Sequence, residues 1–269
     1  MRRIAGALGQ TFRYWMQTEV HVYAFSVAAN VLLSFFPFLI VIMSLSRLFF
    51  NETATTNAID LALRDFFPDS LGKFLHNNLP RRGPTQFVSL GLLLFTANGI
   101  FEPLEVALNR VWGIPRNRSF FRNQLVSLAL IFVCGGLALG SMMLTALHQE
   151  SLGGRANALS AFVFKIAAVP FTVLVLVLVY RFLPNGRPPF SRILPAAIGA
   201  GLLMEVLKYI NTLVWPWFQQ KLVREYGVFQ YSVTLIFLGF LASMIVLAGA
   251  EWAARGNRME ILPETSADA

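Results

Sequence analysis

The chain is 269 residues long, 56% hydrophobic and only 13% charged, with a mean hydropathy of +0.59, a net charge of +8 and one Cys. So much apolar side chain excludes intrinsic disorder, and an ordinary soluble enzyme would need about 25% charged residues to coat its surface. One Cys excludes a disulfide framework and any multi-cysteine metal site. What remains is an integral membrane protein.

Residues 1–21 place Ile4, Leu8, Phe12 and Trp15 at helical spacing, with Arg2, Arg3 and Arg13 beside them. That pattern predicts a short amphipathic helix on an anionic membrane surface. The first long apolar run, 22–46, is too long for a cleaved signal peptide and no small-residue cleavage site follows it, so it is expected to stay as a span. Within it, Ser26, Asn30 and Ser34 share a face, which reads as polar packing between helices. The 51–85 segment is too long for a bare connection. Its Leu61, Phe66, Leu71, Phe74 and Leu75 predict short amphipathic helices capping the outer face. Further spans are expected at 83–106, 123–147, 156–180, 193–215 and 228–250, each long enough to cross a hydrocarbon core of about 30 Å. Gly136 and Gly140 form a GxxxG in the third, a hint of close helix contact, and Cys134 beside them is read as inert. The fold class is therefore all-α, a polytopic bundle of six transmembrane helices in a single membrane domain over 1–258. A disordered tail is expected over 259–269.

Orientation follows from Lys and Arg. With the N-terminus inside, the cytoplasmic segments 1–21, 107–122, 181–192 and 251–269 hold three, four, three and two basic residues. The outer segments 51–85, 148–157 and 216–230 hold four, one and two. The excess on the short inner loops predicts both termini inside, in a bacterial inner membrane. Trp15, Trp112 and Trp252 then fall at inner edges and Trp215 and Trp217 at an outer edge, where indole rings prefer to lie.

Ionisable groups inside hydrocarbon are costly and mark sites or packing pairs. Lys165 and Glu205 fall near the midplane on consecutive spans and are expected to pair. Gly201, Glu205, Lys208, Thr212 and Trp215 follow a 4, 3, 4, 3 spacing, one stripe of the fifth span, read as facing into the bundle. Lys165, Glu205, Lys208 and Thr212 are the candidate substrate-binding residues: two lysines against one glutamate leave a positive charge for an anionic solute or lipid headgroup. The competing reading is a salt bridge that only fixes helix packing. A second polar stripe, Asn98, Glu102, Glu105 and Asn109, is read either as a cation path or as an interfacial segment. The interfacial reading is preferred. In it a new helix starts at Pro103, its acids face water, and Leu104, Ala107, Leu108 and Val111 face lipid. His21, His76 and His148 fall on different sides of the membrane and cannot share a metal; no metal or cofactor is expected, and no catalytic motif is present.

Four blocks carry a resemblance: Ser34-Phe35-Phe36-Pro37, Leu108-Asn109-Arg110-Val111-Trp112-Gly113, Gly199-Ala200 through Glu205, Lys208 and Tyr209, and Tyr226-Gly227 followed by Leu247 to Glu251. Their order and spacing are similar to those of the YihY/BrkB family of bacterial inner-membrane proteins. The resemblance implies a six-helix inner-membrane protein and singles out Glu251 and the Glu205–Lys208 turn without giving them a role. Some family members carry a ribonuclease BN label. The residues argue against it, because there is no carboxylate–histidine cluster for metals and no single basic groove. The expected function is transport or handling of an anionic solute or lipid through a polar cavity lined by the fifth span. The alternative is a structural or envelope-assembly factor. Neither is an enzyme. Expected partners are membrane lipids, the anionic ligand and a second copy of the chain; nucleic acid is not among them.

Overall fold

The computed structural model describes residues 2–46, 85–115, 118–151 and 158–261. The described part is all-helical, with seven α-helices: α1 (Arg2–Trp15), α2 (Thr18–Ser46), α3 (Thr85–Trp112), α4 (Phe120–Ser151), α5 (Ala158–Phe182), α6 (Phe190–Tyr226) and α7 (Gln230–Ile261). A single 3₁₀ turn, Gly227–Phe229, joins the last two. The amphipathic helices expected within 51–85 and the tail from 262 onward lie outside the described residues.

Among the described residues, three helical segments are long and apolar enough to cross a membrane: Thr18–Val41, Phe190–Tyr226 and Gln230–Arg255. Phe121–Leu137 and Val169–Phe182 are shorter apolar stretches. These helices carry apolar residues all round, as expected of segments that face neighbours on one side and lipid on the other.

Side-chain contacts fix an antiparallel alternation. Glu19 at the start of α2 meets Arg110 at the end of α3, and Asn109 reaches the loop after α5. Phe218 of α6 packs at a tilt against Phe237 of α7, while Ala200 lies beside Gly249. The starts of α2, α4 and α6 therefore share one end of the bundle with the ends of α3, α5 and α7. α2 packs most heavily on α3 and α7, and α6 leans on α7 and α5.

Small residues set the closest approaches. A Cβ at Gly239 would stand 3.3 Å from the Ala28 backbone, so α2 and α7 meet there almost backbone to backbone. A Cβ at Gly99 would fall on the Asn30 carboxamide, whose Nδ2 donates to the Ser26 carbonyl at 2.9 Å. Ser34 donates to the Asn30 carbonyl at 2.8 Å. Asn30 and Ser34 thus donate to carbonyls of their own helix, and the missing side chain at Gly99 lets α3 lie close. Gly136, in contrast, faces open space, so its half of the GxxxG mediates no contact among the described residues.

α1 is a helix separate from α2, broken at Met16–Gln17. It is tied to α7 by Trp15, whose Nε1 donates to the Met244 carbonyl at 2.9 Å. Phe12 and Met16 are exposed.

Candidate functional site

The α6 stripe begins at Gly201, which is buried against Val173 of α5. Lys208 Nζ donates to Glu205 Oε1 at 2.8 Å, an i,i+3 ion pair whose side chains keep 24% and 17% of their exposure. Thr212 donates to the Lys208 carbonyl at 3.0 Å but is exposed, so the stripe does not turn wholly inward as its spacing predicted. Trp215 closes the stripe and is buried. Around the pair, Leu203, Val206, Tyr209, Ile210 and Leu213 are exposed apolar surface. Glu205 lies about 20 Å along α6 from Arg192, at a rise of about 1.5 Å per residue. Lys165 sits on the α5 backbone, but its side chain lies outside the described residues. The Gly201–Val173 contact fixes the antiparallel register and sets Lys165 level with Lys208 and Tyr209 rather than with Glu205.

The second stripe behaves differently from its interfacial reading. α3 runs unbroken through Pro103. Leu104, Ala107, Leu108 and Val111, expected to face lipid, are core residues. Glu105, expected to face water, is 2% exposed, and Asn109 of the same stripe is 1% exposed. Of the stripe's two acids only Glu102 is exposed, and the Asn98 side chain lies outside the described residues. The physical reason is angular. At about 100° per residue, Glu102 and Glu105 point about 60° apart, enough to put one outside and one inside.

Glu105 is stabilised by groups the spacing did not reveal. Its Oε1 accepts from the Asn109 carboxamide at 3.3 Å and from the Arg118 backbone N–H at 3.1 Å. Asn109 Oδ1 accepts from the Asn185 N–H at 2.7 Å. The Arg118 guanidinium donates to the carbonyls of Leu183, Phe182 and Pro184 at 2.7, 2.8 and 2.8 Å. A cation therefore caps the C-terminus of α5, where the helix dipole favours it. Burial pushes the Arg118 pKa down, with the Glu105 charge opposing the shift. This knot joins α3 to the loops before α4 and α6, and within it only the Arg118 Nε is a buried side-chain atom left without a partner among the described residues. It is a fastening.

A third polar group lies at the same end. Arg255 donates through Nε to Glu251 Oε1 at 2.6 Å, pairs again with Oε2, and donates to Thr11 Oγ at 2.6 Å. Glu251, singled out by the resemblance, therefore links α7 to α1. Arg110, close to Glu19, is exposed; its pKa is raised first by a hydrogen bond with Tyr23, then by the Glu19 charge. A cavity of about 280 Å³ opens between α1, α2, α3 and α7, with these groups on its walls. Sequence reasoning missed it, because its residues come from four separated segments. Among the described residues, no group of His, Cys, Asp and Glu could hold a metal.

Apolar helices of this length define a helical membrane protein. Its chain matches the model of the family described as Virulence factor BrkB over residues 11–268, and it belongs to that family. It is 24% identical over 285 residues to a UPF0761 membrane protein of Pseudoalteromonas translucida, covering 99% of this chain and 94% of that one. A UPF0761 membrane protein of Chlorobium chlorochromatii is 25% identical over 255 residues, 88% of this chain and 56% of its own. Another, of Chromohalobacter salexigens, is 31% identical over 172 residues, 62% and 42%. The chain thus spans about half the length of these last two relatives. No solved structure matches it.

Proposed function

We propose that this chain is a six-span protein of the bacterial inner membrane, α2 to α7 crossing it with both termini in the cytoplasm. In this reading α6 handles an anionic solute or lipid headgroup and no chemistry is catalysed. Support for the span comes from exposed aromatic side chains at both ends of the bundle. Phe12, Phe121, Phe182, Phe190 and Trp252 surround the end rich in Arg, and Trp217, Tyr226 and Phe229 the other. About 40 Å of helix separates Phe190 from Trp217, close to the thickness of a bilayer with its headgroup regions.

The observation that carries the functional reading is the Glu205–Lys208 pair, half-buried on α6 near mid-depth and surrounded by apolar surface. An ion pair there is costly to desolvate and calls for a use. Lys165 at the level of Lys208 adds a second cation, and the three groups leave one positive charge for an anion.

The test is mass spectrometry of small molecules and lipids retained by gently purified protein, comparing the parent with Glu205→Gln and Lys165→Gln. The expected result is an anionic species in the parent that both folded variants lose. Identical bulk lipid in all three overturns the anion reading. One observation favours the alternative of a structural or assembly factor: Glu205 and Lys208 neutralise each other within a single helical turn.

A further inference from the structure

The cavity at the Arg-rich end is a separate site. Three guanidinium groups reach it, Arg13 from α1, Arg110 from α3 and Arg255 from α7, against two carboxylates, Glu19 and Glu251. The carboxylates are committed: Glu19 pairs with Arg110, and Glu251 holds Arg255 together with Thr11. Each pair fixes its guanidinium in place. Arg13 has no hydrogen bond or ion pair among the described residues. The cavity therefore has two oriented forks and one uncommitted cation, an arrangement suited to an oxyanion with several acceptor oxygens. Its floor is apolar core, Val20, Ala107 and Val111, so an anion seated there is partly removed from water.

Size narrows the ligand. At about 280 Å³ the cavity falls just under the range of about 300–1,000 Å³ typical of drug-sized ligands. It has room for a phosphate group with a few attached atoms, not for acyl chains. Chains would instead run outward past Phe12 and Met16, which α1 leaves exposed beside it.

We propose that this cavity binds a phosphate group, with Arg13 closing on it between Arg110 and Arg255. The site does not depend on the α6 reading. Free phosphate and a lipid phosphate monoester offer the same chemistry, and the probes separate them. The full chain in neutral detergent is titrated with inorganic phosphate, followed by thermal shift, and with phosphatidic acid, followed by native mass spectrometry. The parent is compared with Arg13→Gln and with Arg187→Gln, which removes the same charge from an exposed loop at the same end. Arg13→Gln should weaken binding about tenfold or more, since a lost charge-assisted hydrogen bond contributes on that scale. Arg187→Gln should leave it within about twofold. Loss confined to phosphatidic acid makes the ligand a lipid headgroup; loss for both probes makes free phosphate sufficient. Equal weakening by the two variants, or no binding of either probe to the parent, overturns the proposal. Because both variants keep Glu205, Lys208 and Lys165, this failure is distinct from failure of the α6 site.

Discussion

Arg118→Ala should loosen the joint between α3, α4 and α5 more than any other single charge removal at that end. The guanidinium makes three hydrogen bonds to the last carbonyls of α5 and its loop. The bond to Phe182 is exposed and water can replace it, so it contributes little. The bonds to Leu183 and Pro184 are part-buried, and a bond to a charged group is worth about 1.5 kcal/mol at the lower end. Two of these give about 3 kcal/mol, to which the lost helix-dipole interaction adds about 0.3–1 kcal/mol. The Arg118 N–H to Glu105 is backbone and survives the substitution. Arg118→Lys should recover about a third, because an ammonium cannot fork to three carbonyls. Reversible unfolding in mixed micelles, read by helical circular dichroism, gives the difference, with Arg187→Ala as the exposed control. A loss for Arg118→Ala no larger than that of Arg187→Ala would refute the reasoning.

Further outcomes follow from the same contacts. A Cβ at Gly249 would stand 2.5 Å from Tyr180 Oη and 3.2 Å from the Ala200 Cβ, so Gly249→Ala should cost about 1–3 kcal/mol in the unfolding assay. Gly199 has nothing within 4 Å, and Gly199→Ala should be neutral or stabilise by up to about 1 kcal/mol. Tyr180→Phe removes the buried bond to the Val246 carbonyl, 2.7 Å, and should cost about 1 kcal/mol. It also frees space at Gly249, so the double variant should lose less than the sum of the two single losses; strict additivity would contradict the contact. Asn109→Ala leaves the Asn185 N–H without its acceptor and strips a donor from buried Glu105; a loss of about 1–3 kcal/mol is expected.

Much of the helical layout was legible in the sequence, because apolar runs of span length read directly as helices. The separation of α1 from the first span was legible too, from the recurrence of Phe12 and Trp15 on one side. Individual environments were harder to read. Helical periodicity places Glu105 at the interface, because its partner, Arg118, lies across a loop and beyond the reach of that spacing. Pro103 reads as a helix start in the sequence, yet a proline inside a span is tolerated where neighbours support the backbone. The cavity was invisible because Arg13, Arg110 and Arg255 come from three helices distant in the chain. The resemblance blocks hold residues that the structure ties down. Gly113 and Gly227 adopt positive φ, 69° and 53°, at helix ends; Asn109 and Glu251 make the long-range bonds described above.

The significance of Glu205 and Lys208 depends on their depth, so the most direct test is topology. With the single native cysteine replaced by Cys134→Ala, Arg187→Cys and Gln220→Cys report opposite ends of α6, both at exposed positions. An impermeant maleimide added to spheroplasts should label Gln220→Cys and spare Arg187→Cys, and inverted vesicles should give the reverse. Labelling of both from one side would take α6 out of the membrane and leave its charged turn in water.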